Sequence, residues 1–124
     1  MFTKKRRLTK KEIEEVKDKG SLLGTPFFSL LYFKPKGDGL TLSKFAFVLS
    51  KKVSKKAIER NRTKRILAGS VRSLIKEIQE GYLVLFLVKK RAIGENKQVI
   101  LETIADVFLR IGLLKNEEDN ANPD

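Results

Sequence analysis

Seven consecutive apolar residues, Tyr82 to Val88, constrain this chain more than any other stretch. A run that short falls far below the length of a membrane span. Its unbroken apolarity leaves no face for water, so it reads as a strand buried on both sides. Lys89-Lys90-Arg91 follows at its C-terminal end.

Ahead of that strand the periodicity changes. Ala57, Ile58, Leu67, Val71, Leu74, Ile75 and Ile78 recur at the spacing of one buried helix stripe, which predicts a long helix running to about Glu80, with Gly81 as its stop. Gly69 lies inside it at a cost of about 1 kcal/mol relative to Ala. Close packing and a bend are both open as its reason. Further upstream, Lys4 to Arg7 form a basic arm (residues 1–8). Thr9 precedes Glu12 at the spacing of a capping box, opening a short helix from Lys10 to about Lys19 that ends at Gly20. With only Leu8, Ile13 and Val16 to bury, that helix must dock onto something larger.

Gly24-Thr25-Pro26 breaks the chain, and Phe27 to Phe33 reads as a strand apolar on both faces. A turn at Lys36-Gly37-Asp38-Gly39 leads to a returning strand, Lys44 to Ser50, so the two are expected to pair antiparallel. After Val88 a loop through Gly94, Glu95 and Asn96 enters a last helix that buries Ile100, Ile104, Val107, Phe108 and Ile111. Gly112 is its C′ residue, closed over by Leu113-Leu114. Residues 115–124 read as a disordered acidic tail. The expected architecture is a single α+β domain over residues 1–114, an α/β sandwich with a small mixed sheet packed by helices. If the strands flanking the long helix are parallel, that unit is a βαβ crossover.

Charge then narrows the function. Between Glu59 and Arg65 the long helix holds no apolar residue, and a helix polar all round needs solvent or a partner. Lys51, Lys52, Lys55, Lys56, Arg60, Arg62, Lys64 and Arg65 fall close together against one acid, Glu59, and Asn61 stands among them. Arg offers a planar fork to phosphate oxygens, Lys a point charge, and Asn both donor and acceptor. The whole chain repeats the bias: 27 Lys and Arg against 15 Asp and Glu, a net charge of +12. Nucleic acid is the first partner to expect, an anionic membrane surface the second.

With no histidine, the usual neutral-pH base and imidazole metal ligands are missing; with no cysteine, so are disulfides and thiolate sites. Glu102 and Asp106, one turn apart, would have to hold Mg²⁺ in a protein nuclease, but they read more simply as a solvated face. No apolar segment follows the charged start, so no signal peptide is expected, and the cytoplasm is the expected location.

Ser50-Lys51-Lys52-Val53 followed by Ala57-Ile58-Glu59-Arg60-Asn61-Arg62-Thr63-Lys64-Arg65 resembles the signature of the protein subunit of bacterial ribonuclease P. The likeness spans most of the chain, from the Arg-Leu before the first helix to the Gly-Leu-Leu-Lys near the end. It implies a left-handed βαβ crossover, an exception to the usual hand. It also implies a one-to-one partnership with a catalytic RNA, no membrane partner, and a cleft that holds the 5′ leader of precursor tRNA. Mg²⁺, bound mainly by the RNA, would carry the hydrolysis, so no protein side chain is catalytic. Carried over by position, Arg60, Asn61, Arg62, Lys64 and Arg65 match the signature. Where the family continues with an Arg-Glu pair, this chain has Ala68 and Gly69, and Arg72 stands one turn beyond as a substitute. The cleft aromatics fall on Ile13, Lys17 and Leu31, with Tyr32 beside the last. A stand-alone RNA-binding module, for example on ribosomal RNA, is the competing reading.

Overall fold

The computed structural model describes residues 4–36 and 42–114. Helices α1 (Lys10–Lys19), α2 (Ala57–Ser73) and α3 (Lys97–Arg110) accompany four strands, β1 (Ser21–Gly24), β2 (Phe28–Phe33), β3 (Lys44–Val48) and β4 (Leu83–Val88). The order across the sheet is β1-β2-β4-β3. β2 runs antiparallel to β1 and β4, whereas β3 and β4 are parallel, so β3–α2–β4 is a βαβ unit in a mixed sheet.

The antiparallel pair expected between the strands over 27–33 and 44–50 does not form, because β4 lies between them. Leu83 to Phe86 are buried in sequence, and a strand with no wet face gains most at the centre. β3 keeps Lys44 half-buried and Val48 exposed, which suits an edge. β1 is a strand that periodicity did not reveal: three of its four residues are exposed, and backbone pairing with β2 alone defines it.

The long helix also departs from expectation. α2 ends at Ser73 instead of Glu80; a 3-10 turn over Ile75–Glu77 follows, and Ile78 is extended, bridging Leu114. Ser73 Oγ donates to the Ser70 carbonyl at 2.6 Å, the local competition by which serine unsettles a helix end. The buried stripe begins at Thr63 and continues through Leu67 and Val71; Ala57 and Ile58, expected to open it, are exposed. Gly69 has open space where a Cβ would stand, which removes close packing within the protein as its reason. Gly69→Ala should therefore stabilise the fold by up to about 1 kcal/mol, read as a higher melting temperature.

Two apolar layers sandwich the sheet. On one face Phe86 meets Phe28, Phe47 and Phe108 at ring separations of 5.0, 4.9 and 6.2 Å, beneath Leu67 and Val71 of α2 and Ile104 of α3. On the other, Val16 of α1 packs with Leu8, Leu83 and Leu85. The capping box is present: Thr9 Oγ1 accepts from the Glu12 amide at 3.2 Å, and Glu12 Oε1 accepts from the Thr9 amide at 2.8 Å. Gly20 is dictated by space, since a Cβ there would collide with the Val16 carbonyl. At the other end of the chain Gly112 adopts φ 81°, and Leu113 N–H donates to the Phe108 carbonyl at 2.9 Å in a Schellman closure.

Residues 4–8 are docked, not a free arm. Arg7 bridges Phe45, Leu8 is buried, and Arg6 reaches Glu80 at 3.0 Å. Arg6 also donates to the Ser43 carbonyl, while Glu80 accepts from the Ser43 amide at 2.9 Å. Ser43 Oγ, fully buried, donates to Gln79 and accepts from the Tyr82 amide. Hydrogen bonding from Arg6 is the main reason the Glu80 carboxyl titrates below its ordinary range, and the Ser43 amide adds to it against the effect of burial. A depressed folded pKa stabilises above the unfolded value and is lost as pH falls through the folded one. The melting-temperature gap between wild type and Glu80→Gln should therefore shrink on acidification below the ordinary carboxylate range; a pH-independent gap would exclude a role for the Glu80 charge. The expected tail over 115–124 and the turn at 37–39 lie outside the described residues.

Candidate nucleic-acid interface

Since β3 and β4 are parallel and in register from Lys44↔Leu83 to Val48↔Leu87, their C-terminal ends lie side by side at one end of the sheet. Each then delivers lysines. Lys51, Lys52, Lys55 and Lys56 lie on the segment into α2, and Lys90 lies on the 3-10 turn Lys90–Ala92 after β4. Together with Val53, Ser54, Glu59 and Ile93 they surround a cleft of about 550 Å³. Lys90 was absent from the residues picked by the signature. The parallel pairing of a βαβ unit, with Lys89-Lys90-Arg91 at the end of its second strand, is the signal that could have found it.

The segment before α2 is braced internally. Ser54 Oγ donates to Glu59 Oε1 at 2.6 Å and accepts from the Lys56 amide at 3.2 Å. Arg60 Nη1 donates to the Ser54 carbonyl at 2.7 Å. Thr63, on the buried stripe, donates its hydroxyl to the Glu59 carbonyl at 2.9 Å. Glu59, the one acid of the block, is thus held by a hydroxyl and forms no ion pair among the described residues.

The five signature residues divide accordingly. Arg60 is half-buried and turned back onto the loop. Asn61, Arg62 and Arg65 are exposed, and Lys64 is half-buried. Among the described residues, no side chain of Asn61, Arg62, Lys64 or Arg65 has a protein hydrogen bond or ion pair; the ion pairs are Arg6–Glu80, Lys44–Glu12 and Arg110–Asp106. A row of donors left without acids is a surface made for an external polyanion. Arg72 is exposed one turn and more beyond, but has a partner within the protein. Arg60→Ala should lower the melting temperature by releasing the loop, whereas Arg65→Ala should not; equal melting curves would remove the distinction.

A second opening has a volume of about 340 Å³. Its lining includes Arg7, Leu8 and Ile13 from the α1 side, Ala46 and Val48 on β3, and Lys64 of α2. Ile13 and Lys64, read separately from the sequence, thus face one space. Leu31 sits in the same sheet row, through Leu85 to Ala46, and is half-buried under α1. Lys17 is exposed on α1. Tyr32 is not brought together with them: it faces the opposite side of the sheet and packs against the main core, with Lys34 over Tyr82 nearby at 5.3 Å. Alternation along a strand requires this of any neighbour of Leu31.

Among the described residues no group of three or more acids could hold a metal ion. Glu102 accepts from Gln98 at 3.2 Å, and Asp106 pairs with Arg110 at 3.1 Å, both exposed. No helix among the described residues is long and apolar enough to cross a membrane.

A family model described as "Ribonuclease P" matches residues 2–112. A "Ribonuclease P protein component" of Nitratiruptor is 31% identical over 83% of this chain and 88% of that protein. Another, from Microcystis aeruginosa, is 33% identical over 58% of this chain; there the match spans only 60% of the relative's length. Among solved structures, the Staphylococcus aureus RNase P protein superposes with a TM-score of 0.75 at 16% identity, covering 91% of this chain and all of that one, which supports the fold.

Proposed function

We propose that this chain, which belongs to the ribonuclease P protein family, grips its RNA with the outward face of α2 and the lysines gathered at the ends of β3 and β4. The chain is the accessory protein subunit of an endoribonuclease and acts with an RNA subunit in tRNA 5′ processing. The observation that carries the mode of binding is the set Asn61, Arg62, Lys64 and Arg65, exposed or half-exposed and without protein partners among the described residues.

The finer roles follow from the same surface. Lys51, Lys52, Lys55, Lys56 and Lys90 neutralise phosphates of the catalytic RNA at the cleft they surround. The opening between α1 and β3, lined by Ile13 and Lys64, receives the single-stranded leader of precursor tRNA; its path continues beneath α1 toward Leu31, in the same sheet row, and Lys17, exposed on α1. In this reading Mg²⁺ is bound mainly by the RNA. One protein per RNA, in the cytoplasm, completes the reading.

Reconstitution tests it. Added to a bacterial ribonuclease P RNA at low Mg²⁺, the protein should restore cleavage of precursor tRNA, and alone it should cleave nothing. Tight RNA binding without rescue would favour a stand-alone RNA-binding module. For the cleft, Leu31→Ala should weaken precursor tRNA binding more than binding of leaderless tRNA, with folding checked first because Leu31 is half-buried and a fully buried Leu→Ala costs about 2–5 kcal/mol. Equal losses on both RNAs would remove the leader from this opening.

A further inference from the structure

Ile58 is 80% exposed, more than any other large apolar side chain among the described residues; Leu22, at 65%, comes next. It stands on the first turn of α2, where a β-branched residue gains nothing from helix propensity and here buries nothing in exchange. At about 100° per residue, Arg62 and Arg65 project within about 40° of it, while Thr63, Leu67 and Val71 occupy the opposite half of the helix. Ile58 therefore sits on the outermost line of the helix, with Lys55 and Lys56 just before it and two arginines just after.

That setting selects the partner. A second copy of a chain with net charge +12 would bring like charges against those cations, and an apolar protein surface would strip them of water without compensation. A partner must be anionic around a patch that is itself apolar. RNA is built in that way: phosphates flank ribose C–H surfaces and the faces of unstacked bases, all reachable from its shallow groove or from single strands.

We propose that Ile58 is an apolar RNA contact, packing on a ribose or base face of the ribonuclease P RNA while Arg62 and Arg65 hold the phosphates on either side. The proposal rests on the reading of α2 as the RNA-binding helix and adds to it a contact that carries no charge.

Absence of charge supplies the test. Wild type, Ile58→Ala, Ile58→Gln and Arg65→Ala are titrated with ribonuclease P RNA across a NaCl series and melted in parallel. Both Ile58 variants should melt with the wild type and bind about tenfold more weakly at every salt concentration, keeping the wild-type salt slope. Arg65→Ala should instead flatten the slope. Wild-type affinity in both Ile58 variants, with Arg65→Ala weakened, overturns the role of Ile58 and leaves α2 as the RNA-binding helix. Equal binding by all four proteins removes α2 itself. Self-association of the wild type that either Ile58 variant abolishes, seen by sedimentation, would assign Ile58 to a protein contact and also overturn the proposal.

Discussion

Replacing Arg62 and Arg65 together with alanine should leave the melting curve in place and sharply weaken binding to ribonuclease P RNA. Both guanidinium groups are exposed and bond to nothing in the protein among the described residues, so the folded state loses no contact with them. A hydrogen bond to a charged group is worth about 1.5–3 kcal/mol, so losing two should reduce affinity by at least on the order of a hundredfold. The signature is the salt dependence. Each phosphate contact contributes about 0.7–0.9 to the slope of log K against log salt, and the double variant should be shallower by about 1.5. A fall in affinity with an unchanged slope would mean that these arginines shape the helix and do not touch phosphate.

Phe86→Ala should produce the opposite pattern. Phe86 lies on β4, one of the two interior strands, fully buried, with Phe28, Phe47 and Phe108 around its ring. Truncation there costs about 3–5 kcal/mol, out of a total that for a domain is about 5–15 kcal/mol. Melting should drop by roughly 10–25 °C for a chain of this size. RNA binding at low temperature should retain its salt slope, because no cation has moved. Processing in the reconstituted enzyme should fail on warming and return on cooling. Loss of binding at temperatures where the variant is folded would place the core in direct communication with the RNA surface.

Between these two substitutions lies the division of the molecule into what holds and what binds, and the sequence showed part of it. The cationic block was plain because a helix cannot keep nearly two turns polar all round for its own benefit. Arg60 and Arg65 looked alike in that block, however. Only the fold separates them, since the Ser54 carbonyl that engages Arg60 is carried by a loop whose path depends on where β3 ends. Lys90 was invisible to the signature for the same reason. It reaches the cleft only because β3 and β4 are parallel neighbours.

By itself the sequence determined the parts governed by near neighbours. Those are the capping box of α1, the glycine closure after α3, the strand that no water touches, and a surplus of cations on one segment. Each follows from residues within a turn or two of one another, whose steric and hydrogen-bonding preferences act whatever the rest of the chain does. The tertiary structure decided the rest: β4 seated between β2 and β3, the docking of Arg6 on Glu80, and the exposure of Ile58. Those outcomes depend on partners tens of residues away, and competition for the two apolar layers, not local periodicity, settles which surfaces face inward.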